Sequence, residues 1–349
     1  MADVTDAAFR RLIAKYSAHI RADGTVGGPA VMWTEFVSAD GLVRATPEGK
    51  EKLLADLLYD ESERPIVAQL FSGDAAHMEY AAALCHELGF DGVDINMGCP
   101  DRSIEKQGCG AAMIKDPETA IRIIAAAKRG ARSDYHDGIP VSIKTRIGYR
   151  EDEIDTWIPR LLETAPAALT VHLRTRQQLS KVPADWSLLP RVVSWRDTLA
   201  PNTRIIGNGD VLSAADGHDK VARSGADGAM VGRALFGNPW FFHPEQRLPV
   251  RLTALPTHGV DRESIVTADR DDITVTYITL EERLKVLVEH TQLFCELLPH
   301  KNFAVMKKHY KAYVSGFPGA ADLRQQLMGA PSAADVAAVV EDFLARACA

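Results

Sequence analysis

Apolar and polar positions along the chain alternate between two patterns. Seven short runs, at residues 30–38, 65–72, 92–96, 140–146, 168–174, 204–208 and 228–232, are almost continuously apolar and read as strands. Near-continuous apolar strands belong to parallel sheets buried on both faces. Between them lie runs with helical spacing, at 48–58, 75–88, 117–128, 154–164, 186–199 and 213–223. A further amphipathic run, AAFRRLIAKY at 7–16, sets Phe9, Leu12 and Ile13 on one face and predicts a helix capped by Thr5. Residues 17–29, with Gly24, Gly27, Gly28 and Pro29, read as a loop.

This βα repetition predicts an α/β fold of the (β/α)₈ TIM-barrel type. Such a barrel needs eight strands, and the helix at 7–16 has none before it. The expectation is that the first strand precedes Met1, or that another segment fills the gap. A doubly wound open sheet is the alternative, but its glycine-rich phosphate loop between first strand and helix is missing. Residues 243–272 are polar, with Pro244, Pro249, Pro256, Gly259 and the run DRDD. They read as a linker or surface insertion. Beyond them, 280–298, 303–314, 321–328 and 333–347 read as helices. The expected division is a barrel domain at 1–242, the linker at 243–272 and a small all-helical domain at 273–349.

Composition changes this picture little. The 349 residues are 46% hydrophobic and 25% charged, as in ordinary globular proteins. Cys85, Cys99, Cys109, Cys295 and Cys348 are odd in number and form no CxxC pair, so neither a zinc site nor a disulfide framework is suggested. A reducing, cytoplasmic setting fits. No run of 18 uncharged apolar residues suggests a membrane span, and Asp3 argues against a signal peptide. The net charge of −7 argues weakly against a polyanionic partner. Charge is segregated, however. Residues 297–321 contain no Asp or Glu but contain Lys301, Lys307, Lys308 and Lys311 with His300 and His309. This stretch suits phosphate contacts to a nucleic acid, and reads otherwise as a solvated helix face.

Candidate chemistry gathers at strand ends. Gln69 closes one strand, Asn96 and Cys99 the next, Lys144 and Arg146 a third, and His172 and Arg174 a fourth. Asn208 and Asp210 follow a fifth, and Gly232 and Arg233 a sixth. In a barrel these meet at the C-terminal face, where active sites lie. Cys99 in its Gly-Pro loop reads either as a reactive thiol or as a small buried hydrophobe. Gly207, Gly209, Gly232 and Gly237 follow the last two strands near helix starts, a place where backbone amides bind phosphate, and Arg233 adds a charge. A phosphorylated cofactor such as a flavin suits Lys144 and Gln69. No HxH, HExxH or carboxylate cluster supports a metal.

The motifs VTDAAFR (4–10), PIVAQLFSGD (65–74), GFDGVDINMGCP (89–100), GCGAAMIKDP (108–117), VSIKTRIG (141–148), VHLRTRQQ (171–178), IIGNGDV (205–211) and VGRALFGNPWFF (231–242) resemble those of the tRNA-dihydrouridine synthases. The tail FAVMKKHYKAYVSGFPGA (303–320) resembles that family's helical tRNA-binding domain. The resemblance implies FMN in the barrel mouth, held by Gln69, Lys144, His172, Asn208, Gly209, Asp210, Gly232 and Arg233. Met1 matches the end of the family's first strand and adds a cofactor contact. NADPH or NADH would reduce the flavin, hydride would pass from its N5 to C6 of a uridine in the tRNA D-loop region, and Cys99 would give the proton to C5. Asn96 and Arg174 would lie near the incoming base, and Lys301, Lys307, Lys308 and Lys311 along the tRNA backbone. The implied enzyme is a cytoplasmic monomer without metal. Cys109 reads as close packing. Two other readings remain: an FMN barrel acting on a small pyrimidine, and a non-catalytic RNA-binding protein.

Overall fold

The computed structural model describes residues 3–132, 138–248 and 276–347. The expected cofactor contact Met1 and most of the expected linker lie outside the described residues. Two compact units divide the described chain, one of its residues within 31–234 and one formed by 3–30 together with 235–248 and 276–347.

The first unit is built on seven parallel strands: β1 (Met32–Ser38), β2 (Ile66–Phe71), β3 (Gly92–Asn96), β4 (Val141–Arg146), β5 (Ala168–His172), β6 (Arg204–Asn208) and β7 (Gly228–Met230). They pair in sequence order from β1 to β7. Every pairing is parallel. Helices Ala75–Glu87, Pro117–Gly130, Ile154–Leu162, Leu189–Leu199 and Ala214–Ser224 supply crossovers. This is the TIM-barrel pattern, seen here as a seven-stranded sheet with its helices. The residues of β3 are all buried, as a strand covered on both faces requires. Local signals are used as written. Asp74, Asp116 and Ser213 each cap a following helix through a side-chain oxygen.

The second unit is helical. Helix Leu280–Leu297 begins with a capping box between Thr279 and Glu282. It packs Leu284, Leu287 and Phe294 with Met306, Tyr310, Tyr313, Leu323, Leu327 and Val336 of the following helices. Helix Ala7–Ser17 adds Ala8 and Leu12 to the same core. The sequence reading counts that helix with the barrel, because amphipathic spacing fixes a buried face but not what covers it. Its cap is Asp6, whose Oδ1 accepts from the Phe9 amide at 3.0 Å, rather than Thr5. Within 17–29 a short antiparallel pair, His19–Ile20 with Val26–Gly27, replaces the expected plain loop.

Candidate active site

The register of the sheet sets the site. Gln69 on β2 lies opposite Asp94 on β3, Asn96 opposite Lys144 on β4, and His172 on β5 is level with both Arg146 and Asn208. Residues far apart in sequence thus share one level at the strand C-termini.

Beyond β3 the chain turns sharply. Asn96 Oδ1 accepts from the amides of Gly98 at 3.1 Å and Cys99 at 2.9 Å. The loop is pinned further on. Arg146 Nε donates to the Gly98 carbonyl at 2.7 Å, and the Cys99 carbonyl accepts from the Ala111 amide at 2.9 Å. Gly110 allows that contact: its φ is +60°, and a Cβ there would stand 2.7 Å from the Cys99 oxygen. Arg176 donates to the Pro100 carbonyl and to Glu105, at 3.3 Å and 2.8 Å. Cys99 is partly exposed and packs against a small apolar cluster of Phe71, Ile104 and Cys109. Burial pushes it above the ordinary thiol range, although an Asp101 backbone hydrogen bond and the charges of Arg146 and Lys144 pull the other way. It therefore holds its proton at neutral pH. Cys109 is fully buried, donates to the Gln107 carbonyl at 3.4 Å and is pushed up to about 12, as close packing implies.

Two hydrogen-bonded networks flank this loop. In one, Gln69 Nε2 donates to Asp94 Oδ2 at 2.7 Å, and Asn96 Nδ2 donates to Gln69 Oε1 at 3.0 Å. Ser142 Oγ donates to Asp94 Oδ1 at 2.6 Å, and the Gln69 backbone N–H donates to Thr34 Oγ1 at 3.0 Å. In the other, Lys144 Nζ donates to Asn208 Oδ1 at 3.1 Å, and Asn208 Nδ2 to the Met230 carbonyl at 2.9 Å. Arg174 Nη1 donates to His172 Nε2 at 3.0 Å and Nη2 to Asp210. Asp210 also accepts from Arg233 at 2.6 Å and from the Ala184 amide at 2.9 Å. Gly209 brings these together at φ +123°, where a Cβ would meet Ala184 at 2.7 Å. Gly232 directly precedes the single turn Arg233–Leu235.

The electrostatics are one-sided. Burial first, then repulsion from Arg146, lowers Lys144 to about 8. Among the described residues no carboxylate forms an ion pair with it. Burial, with Lys144, Arg146, Arg174 and Arg233 around it, lowers His172 to about 2, so the ring is neutral and accepts from Arg174 at Nε2. Burial favours the neutral Asp210, but the Ala184 amide and the two arginines outweigh it and hold the carboxyl below its ordinary range.

The comparisons with known proteins identify the family. The family model described as dihydrouridine synthase (Dus) matches residues 1–348. The chain belongs to the dihydrouridine synthase family. It is 33% identical to a "Probable tRNA-dihydrouridine synthase" of Staphylococcus aureus (strain MRSA252), over 99% of this chain and 92% of that protein. It is also 33% identical to "Probable tRNA-dihydrouridine synthase 2" of Bacillus subtilis (strain 168), over 98% and 92%. Among solved structures, histamine dehydrogenase from Rhizobium sp. 4-9 gives a TM-score of 0.46 at 12% identity, covering 67% of this chain and 42% of that one, too slight a likeness to argue from.

In this dihydrouridine synthase Gln69, Asn96, Lys144, Asn208, His172, Arg174, Asp210 and Arg233 fall into the two networks just described, while Cys99 lies on the pinned loop and Gly209 and Gly232 take no side-chain part. The residues that the sequence reading passed over are Asp94, Thr34 and the Arg176–Glu105 pair. A lone carboxylate inside the apolar run GVDIN was the available signal for Asp94. In the helical unit, Lys307 and Lys311 stand four apart on helix Lys307–Tyr313, with Lys308 beside them, while Tyr310 and Tyr313 are buried. Lys308 and Lys311 are exposed, Lys301 and Lys307 partly so. Lys308 pairs with Asp3 at 3.3 Å. His309, counted in the basic stretch, is 1% exposed, and burial lowers it to about 4, so it is neutral and no phosphate contact. Among the described residues no helix is long and apolar enough to cross a membrane.

Proposed function

We propose that this dihydrouridine synthase reduces uridines in the D-loop region of tRNA to 5,6-dihydrouridine, using FMN and NADPH or NADH. The observation that carries the reading is a partly exposed thiol, Cys99, kept protonated on a pinned loop and coupled electrostatically to the Lys144 ammonium, which forms no ion pair among the described residues. Lys144, which forms no ion pair among the described residues, and Arg233, which is 60% exposed and bound to Asp210, are two cations that suit a flavin phosphate or an electron-rich ring. Asn208, Gly209, Asp210, Gly232, His172 and Gln69 complete the cradle. Bound there, FMN would supply the hydride for C6 of the uridine.

The chain's own residues supply the rest. Hydride addition leaves an enolate-like C5, and Cys99 is the acid whose Sγ holds the proton for it. Asn96 and Arg174 orient the base. The uridine must leave its stack to reach the thiol, at a cost of a few kcal/mol. Lys301, Lys307, Lys308 and Lys311 of the helical region (273–349) contact the tRNA backbone, reading shape rather than sequence. We place the enzyme in the cytoplasm as a monomer needing no metal.

The test is anaerobic reoxidation of NADPH-reduced, flavin-loaded protein. Unmodified tRNA should reoxidise it and free pyrimidines should not. Reoxidation by a free pyrimidine alone would favour a small-substrate oxidoreductase.

A further inference from the structure

We infer that Asp94 is a positioning residue: by fixing the side-chain amides of Gln69 and Asn96 in one sense, it holds the Cys99 loop in place. Asp94 is fully buried, and its side chain accepts hydrogen bonds from Gln69 and Ser142, so its influence on the loop passes through other side chains. The two ends of the chain of contacts have fixed polarity. An ionised carboxylate only accepts, and the backbone amides of Gly98 and Cys99 only donate.

Between these ends the order is forced. Asp94 takes the Nε2 of Gln69, which leaves Oε1 facing Asn96. Asn96 must then present Nδ2 to Gln69, which leaves Oδ1 facing the two loop amides. Turning either amide over would oppose donor to donor and acceptor to acceptor at buried groups. The anchor itself is steadied by Ser142, whose hydroxyl donates to the other carboxylate oxygen. Gln69 is 5% and Asn96 7% exposed, so water offers little replacement. Burial pushes Asp94 up to about 6 against the hydrogen bonds from Ser142 and Gln69 and the charge of Lys144, so the carboxylate is the major form at pH 7.

The proposal leans on the functional reading only for what Cys99 does; the holding of the loop is independent of it and can be read without cofactor. Asp94→Asn keeps an oxygen for Gln69 and can donate to Ser142, whose hydroxyl already faces the Val93 carbonyl at 3.4 Å. Asp94→Val removes every acceptor at similar size. The experiment measures alkylation of Cys99 by iodoacetamide in flavin-free protein, quantified on the Cys99 peptide by mass spectrometry. Loosening the loop should free Cys99 from the apolar cluster it packs against. We expect Asp94→Val to react about fivefold faster than wild type, the equivalent of one net hydrogen bond, and Asp94→Asn to stay within about twofold. Equal rates for wild type and Asp94→Val would overturn the proposal, and so would an Asp94→Asn protein as fast as Asp94→Val, which would point to charge instead. If Asp94→Val does not fold by circular dichroism, Gln69→Met breaks the chain one link later and must give the same rise; an unchanged rate there overturns it equally. Wild-type protein silent toward tRNA, with the alkylation pattern as expected, would sink the functional reading and leave the positioning role standing.

Discussion

Removing the Asp210 carboxylate should cost the first unit a large part of its stability. Asp210→Ala takes away the charge partner of Arg174, whose side chain is 3% exposed. Arg174 would keep the Val182 carbonyl at 2.6 Å and the His172 ring, but both are neutral. Leaving a buried charge unpaired costs about 3–5 kcal/mol. The Asp210 side chain retains 29% exposure, so water can reach the vacated place and the low end, about 3 kcal/mol, is appropriate. The second partner adds little: Arg233 is 60% exposed, and surface pairs contribute about 0–1 kcal/mol. Urea unfolding followed by circular dichroism should show a lower midpoint at unchanged slope for Asp210→Ala, and a loss under about 1 kcal/mol for Arg233→Ala. Asp210 is held below its unfolded value, so its contribution is complete above the ordinary carboxylate range and disappears as pH falls through the folded value. Equal losses for Asp210→Ala and Arg233→Ala would refute the argument that burial of Arg174 sets the magnitude.

Other consequences follow from the same geometry. Lys144 carries its charge below about 8 and loses it above, so FMN affinity by fluorescence titration should weaken as pH rises through that value, and Lys144→Met should remove the dependence. Gly209→Ala should lower stability by about 1–3 kcal/mol and release flavin, because φ is +123° and Ala184 stands 2.7 Å from the new Cβ; retained yellow protein of normal stability would contradict this. His309 is depressed to about 4, so its neutral burial favours folding above about 6.5 and is lost as pH falls toward about 4; His309→Phe should flatten the acid limb of a thermal-melt series by about 3 kcal/mol. Replacing Lys307, Lys308 and Lys311 by alanine should raise KM for tRNA and reduce the salt slope of binding by about 2–3, with flavin content as in wild type.

How far the sequence reveals this protein depends on whether the signal is local. Strand and helix order follow from apolar spacing, and the strands at 92–96 and 204–208 appear where the pattern puts them. Cys99, Gln69, Lys144 and His172 can be named as candidates because polar residues ending apolar strands point to a barrel mouth. Asp94 is not, since its meaning comes from register: only the pairing of β2 with β3 sets it opposite Gln69. His309 misleads for the same reason. Its neighbours in sequence are lysines, but its neighbours in space are His290 and Phe9, at ring distances of 4.5 Å and 5.6 Å. The partner of helix Ala7–Ser17 is equally non-local, because its buried stripe matches Leu284 and Tyr310 only once the chain has folded.

The central claim is that Cys99 delivers a proton during reduction of uridine in tRNA. The most direct measurement treats unmodified tRNA with NADPH and flavin-loaded enzyme, then maps by mass spectrometry each nucleoside that gains two hydrogens. Wild type should yield dihydrouridine at a defined D-loop position at neutral pH, where Cys99 keeps its proton. Cys99→Ala should keep its flavin yet give almost none. Full product from Cys99→Ala, or no mass gain with wild type, would contradict the account.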